Sequence, residues 1–411
     1  MSRVVITGMG AVSPIGNDVN SMWENAKKGT CGIDAITHFD TEAFKVKLAA
    51  QVKDFDVTAF LSPQEARKLD RFVQFAMVAA REACVDANVL DVVDKERMGV
   101  VVSSGIGGLK TIEETAQRLF DAGPNRISPH FIPKVLTNLG AGNVAIDLGA
   151  KGMCQTVVTA CAAGTDAIGT AFRHIQGGHA DVMVAGGSEA SITALGIAGF
   201  SVMRAVSEAT DKQRASIPFD QERNGFVMGE GAGILVLESL EHAKKRGAKI
   251  YGEIVGYGAT CDAFHVTAPC EDGEGATRAM KLALVDANVK PSQIDYINAH
   301  GTSTPLNDKT ETTAVKNAFG EHAKAVAMSS TKAMTGHLLG AAGAIEAIFC
   351  IKGLEEGFIP ATINYQVADP ACDLDIVASH GRDQVIQYAM SNSLGFGGHN
   401  ASLVMKKWEG V

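Results

Sequence analysis

Two rhythms of apolar residues alternate along the chain. Short β-branched runs read as buried strands: Val4 to Thr7 closing on Gly8-Met9-Gly10, Gly99 to Val102 closing on Ser103-Ser104-Gly105, Thr156 to Thr159, Tyr296-Ile297-Asn298, and Ser402 to Met405. Between them, apolar residues recur at three- and four-residue steps, the period of a helix buried on one face. Phe72, Phe75, Ala76, Ala79, Ala80 and Ala83 follow that step, as do Gly164, Ala167, Ile168, Ala171, Phe172 and Ile175. So do Ala276, Ala279, Met280 and Ala283, and then Leu338, Ala341, Ala342, Ile345 and Ile348. Strands alternating with helices predict an α/β fold with largely parallel sheets, whose ligands gather at the carboxyl ends of the strands.

The pattern also repeats itself. Val85-Asp86-Ala87-Asn88-Val89 closes the first of these helices, and Val285-Asp286-Ala287-Asn288-Val289 closes the third. Each pentapeptide ends an alanine-spaced helix and precedes a strand, a context that chance duplicates far less readily than the pentapeptide alone. The chain therefore reads as two tightly fused halves meeting near residue 250, past the glycine-capped helix end Glu241-His242-Ala243-Lys244-Lys245-Arg246-Gly247. Residues 110–135, with Pro124, Pro129 and Pro133, read as an excursion from the core.

Composition narrows the classes. A chain of 411 residues with 44 glycines and no low-complexity tract is long enough for a large core. Its net charge of −9 argues against a nucleic-acid partner, which would need a basic face. The eight cysteines lack C-x-x-C pairs, so they indicate neither a disulfide framework nor a zinc site, and they fit reduced thiols in a cytoplasmic protein. Neither a signal peptide nor a membrane-spanning stretch is expected. Gly8, Gly10 and Gly16 imitate a dinucleotide-binding fingerprint, but Ser13 stands where its third glycine belongs, and a plain strand and turn is the better reading.

One cysteine and two histidines stand apart. Cys161 lies in Thr159-Ala160-Cys161-Ala162-Ala163-Gly164, where a strand turns into a helix. The unpaired N–H groups and partial positive charge of a helix N-terminus favour a thiolate there, as a nucleophile needs; a small buried core cysteine fits the same stretch. His300 lies in Asn298-Ala299-His300-Gly301-Thr302-Ser303-Thr304-Pro305, just past a strand. His337, in Lys332-Ala333-Met334-Thr335-Gly336-His337, opens a helix whose dipole favours the neutral ring. Two neutral imidazoles, each donating one N–H, suit an enolate or tetrahedral oxyanion. Each also suits a satisfied structural histidine.

Taken together, Thr159 to Gly164, Asn298 to Thr304, Lys332 to His337 and Gly395-Phe396-Gly397-Gly398 resemble the β-ketoacyl-(acyl-carrier-protein) synthases. The closest likeness is to the elongating, type II synthases of bacterial fatty-acid synthesis, and it runs from Arg3 to Lys406. The resemblance implies a thiolase-like fold of α-β-α-β-α layers with internal pseudo-duplication, usually as a homodimer. Residues 1–250 would form the half that carries the nucleophile, and residues 251–411 the half that carries both histidines. It implies an acyltransferase that needs no cofactor and no catalytic metal, with substrates carried on the phosphopantetheine of acyl carrier protein. Cys161 takes a fatty acyl chain as a thioester, malonyl-carrier protein loses carbon dioxide while His300 and His337 hold its thioester oxygen, and the chain grows by two carbons. The backbone N–H groups of Cys161 and Phe396 form the second oxyanion hole.

The same resemblance implies further roles. Lys332 organises the site electrostatically, Thr302 and Thr304 bond the carrier's arm, and Phe396 is a gate between glycines. Ile106 and Phe200 wall the acyl pocket, and Asp308 and Glu311 are supporting structure. Arg67, Lys68, Arg126 and Arg204 dock the acidic carrier despite the overall negative charge, with Asn125 where a further base is often found. Asn298, Glu346 and Asn392 fall at positions that hold a structural monovalent cation. Two alternatives share the likeness: a non-catalytic chain-length partner subunit, which lacks the nucleophile, and a polyketide-type ketosynthase. Thiolases and chain-initiating synthases carry a cysteine or an asparagine where this chain has His337.

Overall fold

The computed structural model describes residues 2–410. The first half contributes strands β1 (Val4–Val12), β2 (Met98–Ser103), β3 (Cys154–Gln155), β4 (Val182–Glu189) and β5 (Gly231–Ser239). The second contributes β6 (Gly252–Cys261), β7 (Tyr296–Asn298), β8 (Ala327–Ser329), β9 (Tyr388–Gly395) and β10 (His399–Lys407). Within the first half the order is β1-β5-β4-β2-β3, and within the second β6-β10-β9-β7-β8. The pairings match in sign as well as order. The first two neighbours in each half are antiparallel and the last two parallel. Antiparallel pairing of β1 with β6 joins the halves edge to edge, Val4 facing Ile254.

The sheets are therefore mixed, not largely parallel as the alternation suggested. The tight glycine turn between β9 and β10 reverses the chain, and a chain reversed at once can only pair antiparallel. A second expectation also fails, because Thr156 to Thr159 is not a buried strand. Pairing stops at Gln155, and side chains take over: the Thr156 hydroxyl donates to the Val102 carbonyl (2.8 Å) and the Val157 N–H to Ser103 Oγ (3.2 Å). Val158 is 53% exposed. Conversely β1 does not end at Gly8 but runs on through Gly10 to Val12.

Helices α1 (Arg71–Ala87) and α2 (Leu139–Leu148) cover the outer face of the first sheet. Helices α3 (Ala163–Gln176) and α6 (Ala342–Glu356) lie between the sheets and touch strands of both halves. Helices α4 (Glu274–Ala287) and α5 (Pro305–Phe319) cover the second sheet's outer face. A helix apolar on all sides belongs in such a middle layer, and every residue of α6 from Ala342 to Leu354 is buried.

The repeated pentapeptide has one structural job in both copies. Asp86 accepts the N–H of Met9 at 3.0 Å, and Asp286 accepts the N–H of Tyr257 at 2.9 Å. Each held residue lies between two glycines whose missing side chains let the helix press on the strand. A Cβ on Gly10 would lie 1.9 Å from the Ala79 carbonyl, and one on Gly258 2.1 Å from that of Ala279. Asn88 and Asn288 end their helices in the left-handed region, at φ 48° and 54°.

Candidate active site

Four loops converge where the two halves meet. His300 and Phe396 follow β7 and β9, parallel neighbours with Asn298 opposite Ser391, so both leave from the same end of the sheet. His337 follows β8 and a short helix, Lys332–Thr335. Its main chain is clamped on both sides, its N–H donating to the Val227 carbonyl (2.7 Å) and its own carbonyl accepting from Gly229 (2.8 Å). It stands before a turn at Leu339–Ala341, and α6 begins only at Ala342, so His337 does not itself open the helix. Cys161 sits in the turn Ala160–Ala162 that leads into α3. Beside each of the three a non-glycine residue is forced to positive φ: Ala160 (51°), Ser303 (69°) and Leu339 (49°). Strain of this kind persists only where the surroundings over-determine it.

The loops enclose a cavity of about 410 Å³ lined by Cys161, His300, His337, Phe396, Thr302 and Thr304, with Phe200 and Arg204 toward its rim. The two imidazole rings meet edge to face with centroids 5.2 Å apart, and Phe226 supports the His337 ring at 5.3 Å. Their tautomers follow from their partners. The Leu339 N–H donates to His337 Nδ1 (3.3 Å), and Lys332 Nζ faces His300 Nδ1 at 3.5 Å. Both Nδ1 atoms are thus acceptors, which leaves each Nε2 carrying the proton. Burial holds both rings well below the usual histidine value, and the Lys332 charge depresses them further. Burial, rather than a helix dipole, is the main cause of their neutrality.

Although Cys161 as a residue is only partly buried, protein encloses its sulfur, and that burial pushes the thiol up to about 12. Lys332 and the N–H groups of Phe396 and of Cys161 itself pull the other way, while Glu189 adds to the rise. The thiolate expected from the helix start is therefore not the resting state. The two N–H groups at the sulfur nevertheless form a pair of converging donors, the arrangement an oxyanion hole requires.

Lys332 is sealed inside, paired with Glu346 of α6. This partnership was not legible in the sequence, although a carboxylate within the apolar run from Ala342 to Ile351 is a signal that something charged faces it. Glu311 accepts the N–H groups of His300 and Gly301, each at 2.8 Å, and burial first of all raises its carboxyl to about 7. Asp308 accepts from Phe219 (2.8 Å) and Ser303 (3.1 Å). Both act as the supporting structure expected of them. Glu189, which the sequence reading passed over, bonds Ser104 (3.0 Å), Gly105 (2.8 Å) and Gly340 (3.1 Å), tying the loop before Ile106 to the turn after His337.

Sequence comparison agrees with this geometry. Profiles for the "Beta-ketoacyl synthase, N-terminal domain" and the "Beta-ketoacyl synthase, C-terminal domain" match residues 1–243 and 251–366. The chain belongs to the β-ketoacyl synthase family. A 3-oxoacyl-[acyl-carrier-protein] synthase 2 of Staphylococcus aureus (strain N315) is 56% identical over 409 residues, 99% of each chain. One of Synechocystis sp. is 52% identical over 409 residues, covering 99% of this chain and 98% of its own. Among solved structures, a type II polyketide ketosynthase in complex with its acyl-carrier protein superposes with a TM-score of 0.92 at 38% identity, over 99% of this chain and 100% of its own. A β-ketoacyl synthase from Burkholderia phymatum superposes at 0.91 with 34% identity, over the whole of both chains.

In this β-ketoacyl synthase the remaining expected residues separate. Thr302 and Thr304 share a hydroxyl contact of 2.9 Å on the cavity wall. Phe200 packs on Phe226 (5.4 Å) and faces Phe396 (6.4 Å). Ile106 is not among the residues lining the cavity; it packs in the apolar cluster that includes the wall residues Phe200 and Cys161, with its N–H directed to Glu189 at 3.4 Å. Arg204 stands at the cavity mouth, Arg67 and Lys68 lie near a separate hollow, and Arg126 lies in a turn after the exposed helix Leu109–Ala122. All four are exposed, and none pairs with a carboxylate among the described residues. Asn298 Oδ1 and Glu346 Oε2 are buried without a partner, oxygens whose chemistry fits a small cation, whereas Asn392 Oδ1 already accepts from Ser402 (2.8 Å).

A pH test follows from the depressed histidines. A histidine held below its ordinary 6.5 stays neutral, and keeps its acceptor Nδ1 and donor Nε2, as pH falls through that value. Decarboxylation of malonyl-carrier protein is expected to stay level from about pH 8 to about pH 6, measured as carbon dioxide release. A loss with its midpoint at 6.5 would show an ordinary, solvated imidazole.

Proposed function

We propose that this synthase performs the decarboxylative condensation of malonyl-carrier protein with a Cys161-bound fatty acyl chain, yielding 3-oxoacyl-carrier protein two carbons longer. The observation that carries the reading is the pair of neutral Nε2–H donors set beside a sulfur that itself faces two backbone N–H groups.

In the first stage Cys161 attacks the acyl thioester. Its proton leaves with the carrier's thiol, and the N–H groups of Cys161 and Phe396 take the negative charge of the tetrahedral intermediate. In the second, malonyl-carrier protein enters, its bond to the carboxylate breaks, and carbon dioxide departs. The electron pair is left as an enolate whose oxygen His300 and His337 hold. The enolate carbon then bonds to the acyl carbonyl, the bond to Cys161 breaks, and the cysteine recovers a proton. Neutral donors suit this step because they stabilise the oxygen without quenching the carbanion. Lys332, tied to Glu346, keeps the rings uncharged and His300 in its tautomer.

Thr302 and Thr304 lie where a phosphopantetheine arm would pass, and Phe396 closes the acyl side. Arg67, Lys68, Arg126 and Arg204 supply unpaired positive charge for an acidic carrier. Asn298, Glu346 and Asn392 would hold a monovalent cation that balances buried oxygen charge. The division into halves at 1–250 and 251–411, and a homodimer, belong to the same proposal. Support for the dimer comes from Leu119 and Phe120 on the helix Leu109–Ala122, which are 41% and 83% exposed, and from the bare edge strand β3. Retention of Cys161 speaks against a non-catalytic partner subunit. Incubation with a fatty acyl-carrier protein should add the acyl mass to the peptide containing Cys161, and labelled malonyl-carrier protein should then release it as the 3-oxoacyl product. Acyl mass on any other cysteine, or none, would overturn the reading.

A further inference from the structure

The first turn of α3 holds a carboxylate that the condensation does not use. Asp166 is 6% exposed. One of its oxygens accepts the Thr159 hydroxyl at 2.5 Å, and the other accepts the phenol of Tyr257 at 2.6 Å. Burial pushes its carboxyl up, and the two hydroxyls pull it down.

These bonds bracket the nucleophile. Thr159 stands immediately before Ala160, the strained residue at φ 51°, and its carbonyl packs under Gly395, where a Cβ would approach to 2.7 Å. Asp166 lies on the far side of Cys161. The Asp166–Thr159 bond therefore closes the segment around Cys161 from both ends. It stands in for the missing caps, since neither Thr159 nor Ala162 makes a capping bond where the turn and the helix begin.

Tyr257 brings the anchor from the other half of the molecule, and it is itself rigidly mounted. Its N–H is held by Asp286, and its carbonyl accepts from Arg173 at 3.1 Å. Arg173 pairs with Asp286 at 2.7 Å. The phenol ring lies flat against α3 at Gly169, where a Cβ would come within 2.4 Å of it. The position of the cysteine turn is thus referred, through one carboxylate, to the frame of the second sheet.

We propose that Asp166 is a positioning residue for Cys161, with Tyr257 as its anchor, and that it governs acylation of the cysteine without governing decarboxylation. The loops of His300 and His337 are held by Glu311, Val227 and Gly229, not by Asp166. The inference rests on Cys161 being the acylated nucleophile.

Two half-reactions of the full chain test it. Misplacing a nucleophile by a fraction of an ångström is costly, so Asp166→Ala should slow acyl transfer from acyl-carrier protein to Cys161 about tenfold or more, with malonyl decarboxylation within about twofold of wild type. Asp166→Asn should recover most of the rate, because its amide oxygen still accepts from Thr159 and its N–H can donate to the Tyr257 oxygen. Tyr257→Phe should fall between them. Equal losses in both half-reactions, an unchanged acylation rate in Asp166→Ala, or an asparagine variant as slow as the alanine one would overturn the proposal. Should Asp166→Ala not fold, Tyr257→Phe decides alone: acylation slowed with decarboxylation kept supports it, and both slowed or neither slowed overturns it. Wild-type protein that never acylates Cys161 would instead defeat the functional reading beneath it.

Discussion

Cys161→Ala is expected to abolish condensation and to leave malonyl decarboxylation running. In the proposed mechanism the thiol is the group that takes the acyl chain, so its removal should lower condensation by at least about 10⁴-fold. Carbon dioxide release makes a different demand. It needs donors at the malonyl thioester oxygen, and in the proposed mechanism those are the Nε2–H groups of His300 and His337, whose tautomers are fixed by Lys332 and by the Leu339 N–H rather than by the cysteine. Alanine in place of the neutral thiol also creates no new charge beside Glu189. The comparison is read by following labelled carbon dioxide and 3-oxoacyl-carrier protein in the same reaction. Condensation surviving near the wild-type rate would remove Cys161 from the mechanism, and simultaneous loss of carbon dioxide release would couple the two steps in a way the geometry does not.

His337→Ala is the complementary case, and it should damage both steps. One of two enolate donors disappears, and loss of a single preorganised donor of this kind costs roughly 10²- to 10³-fold in rate. The ring also fills space against Phe226 and His300, so the variant leaves a void beside the surviving histidine. Rates must therefore be taken on protein shown to be folded by circular dichroism and thermal melting. His337→Asn separates the two contributions: a shorter side chain that still offers N–H groups should recover part of the decarboxylation. A folded His337→Ala protein that releases carbon dioxide near the wild-type rate would leave His300 as the sole donor.

The duplication was legible in the sequence because its anchors are short and local. An aspartate that grips a strand's N–H, and an asparagine that ends a helix, leave the same five letters wherever the unit recurs. Cys161, His300 and His337 were legible for a related reason, since each sits in a small-residue loop that must make a tight approach. What could not be read was set by contacts across long stretches of chain. The strand expected at Thr156 to Thr159 has the right residues, but Val102 and Ser103 draw its polar groups out of the ladder. The helix start favouring a thiolate was seen, whereas the enclosure that reverses the balance was not, because enclosure comes from residues of both halves. Lys332 and Glu346 were each singled out by the family likeness, yet only the folded chain shows that they pair with one another.

Asp86 and Asp286 hold main-chain groups, so neither has any say in which side chain is carried at the position it holds. One copy of the unit accordingly displays a thioether that merely packs, and the other a phenol that crosses to the opposite sheet's central helix. A doubled scaffold of this design offers a vacant berth in every repeat: the mooring is inherited, while the cargo is free to change. Tailoring the enzyme through Tyr257 would therefore alter the surroundings of the Cys161 turn without recasting the framework around it.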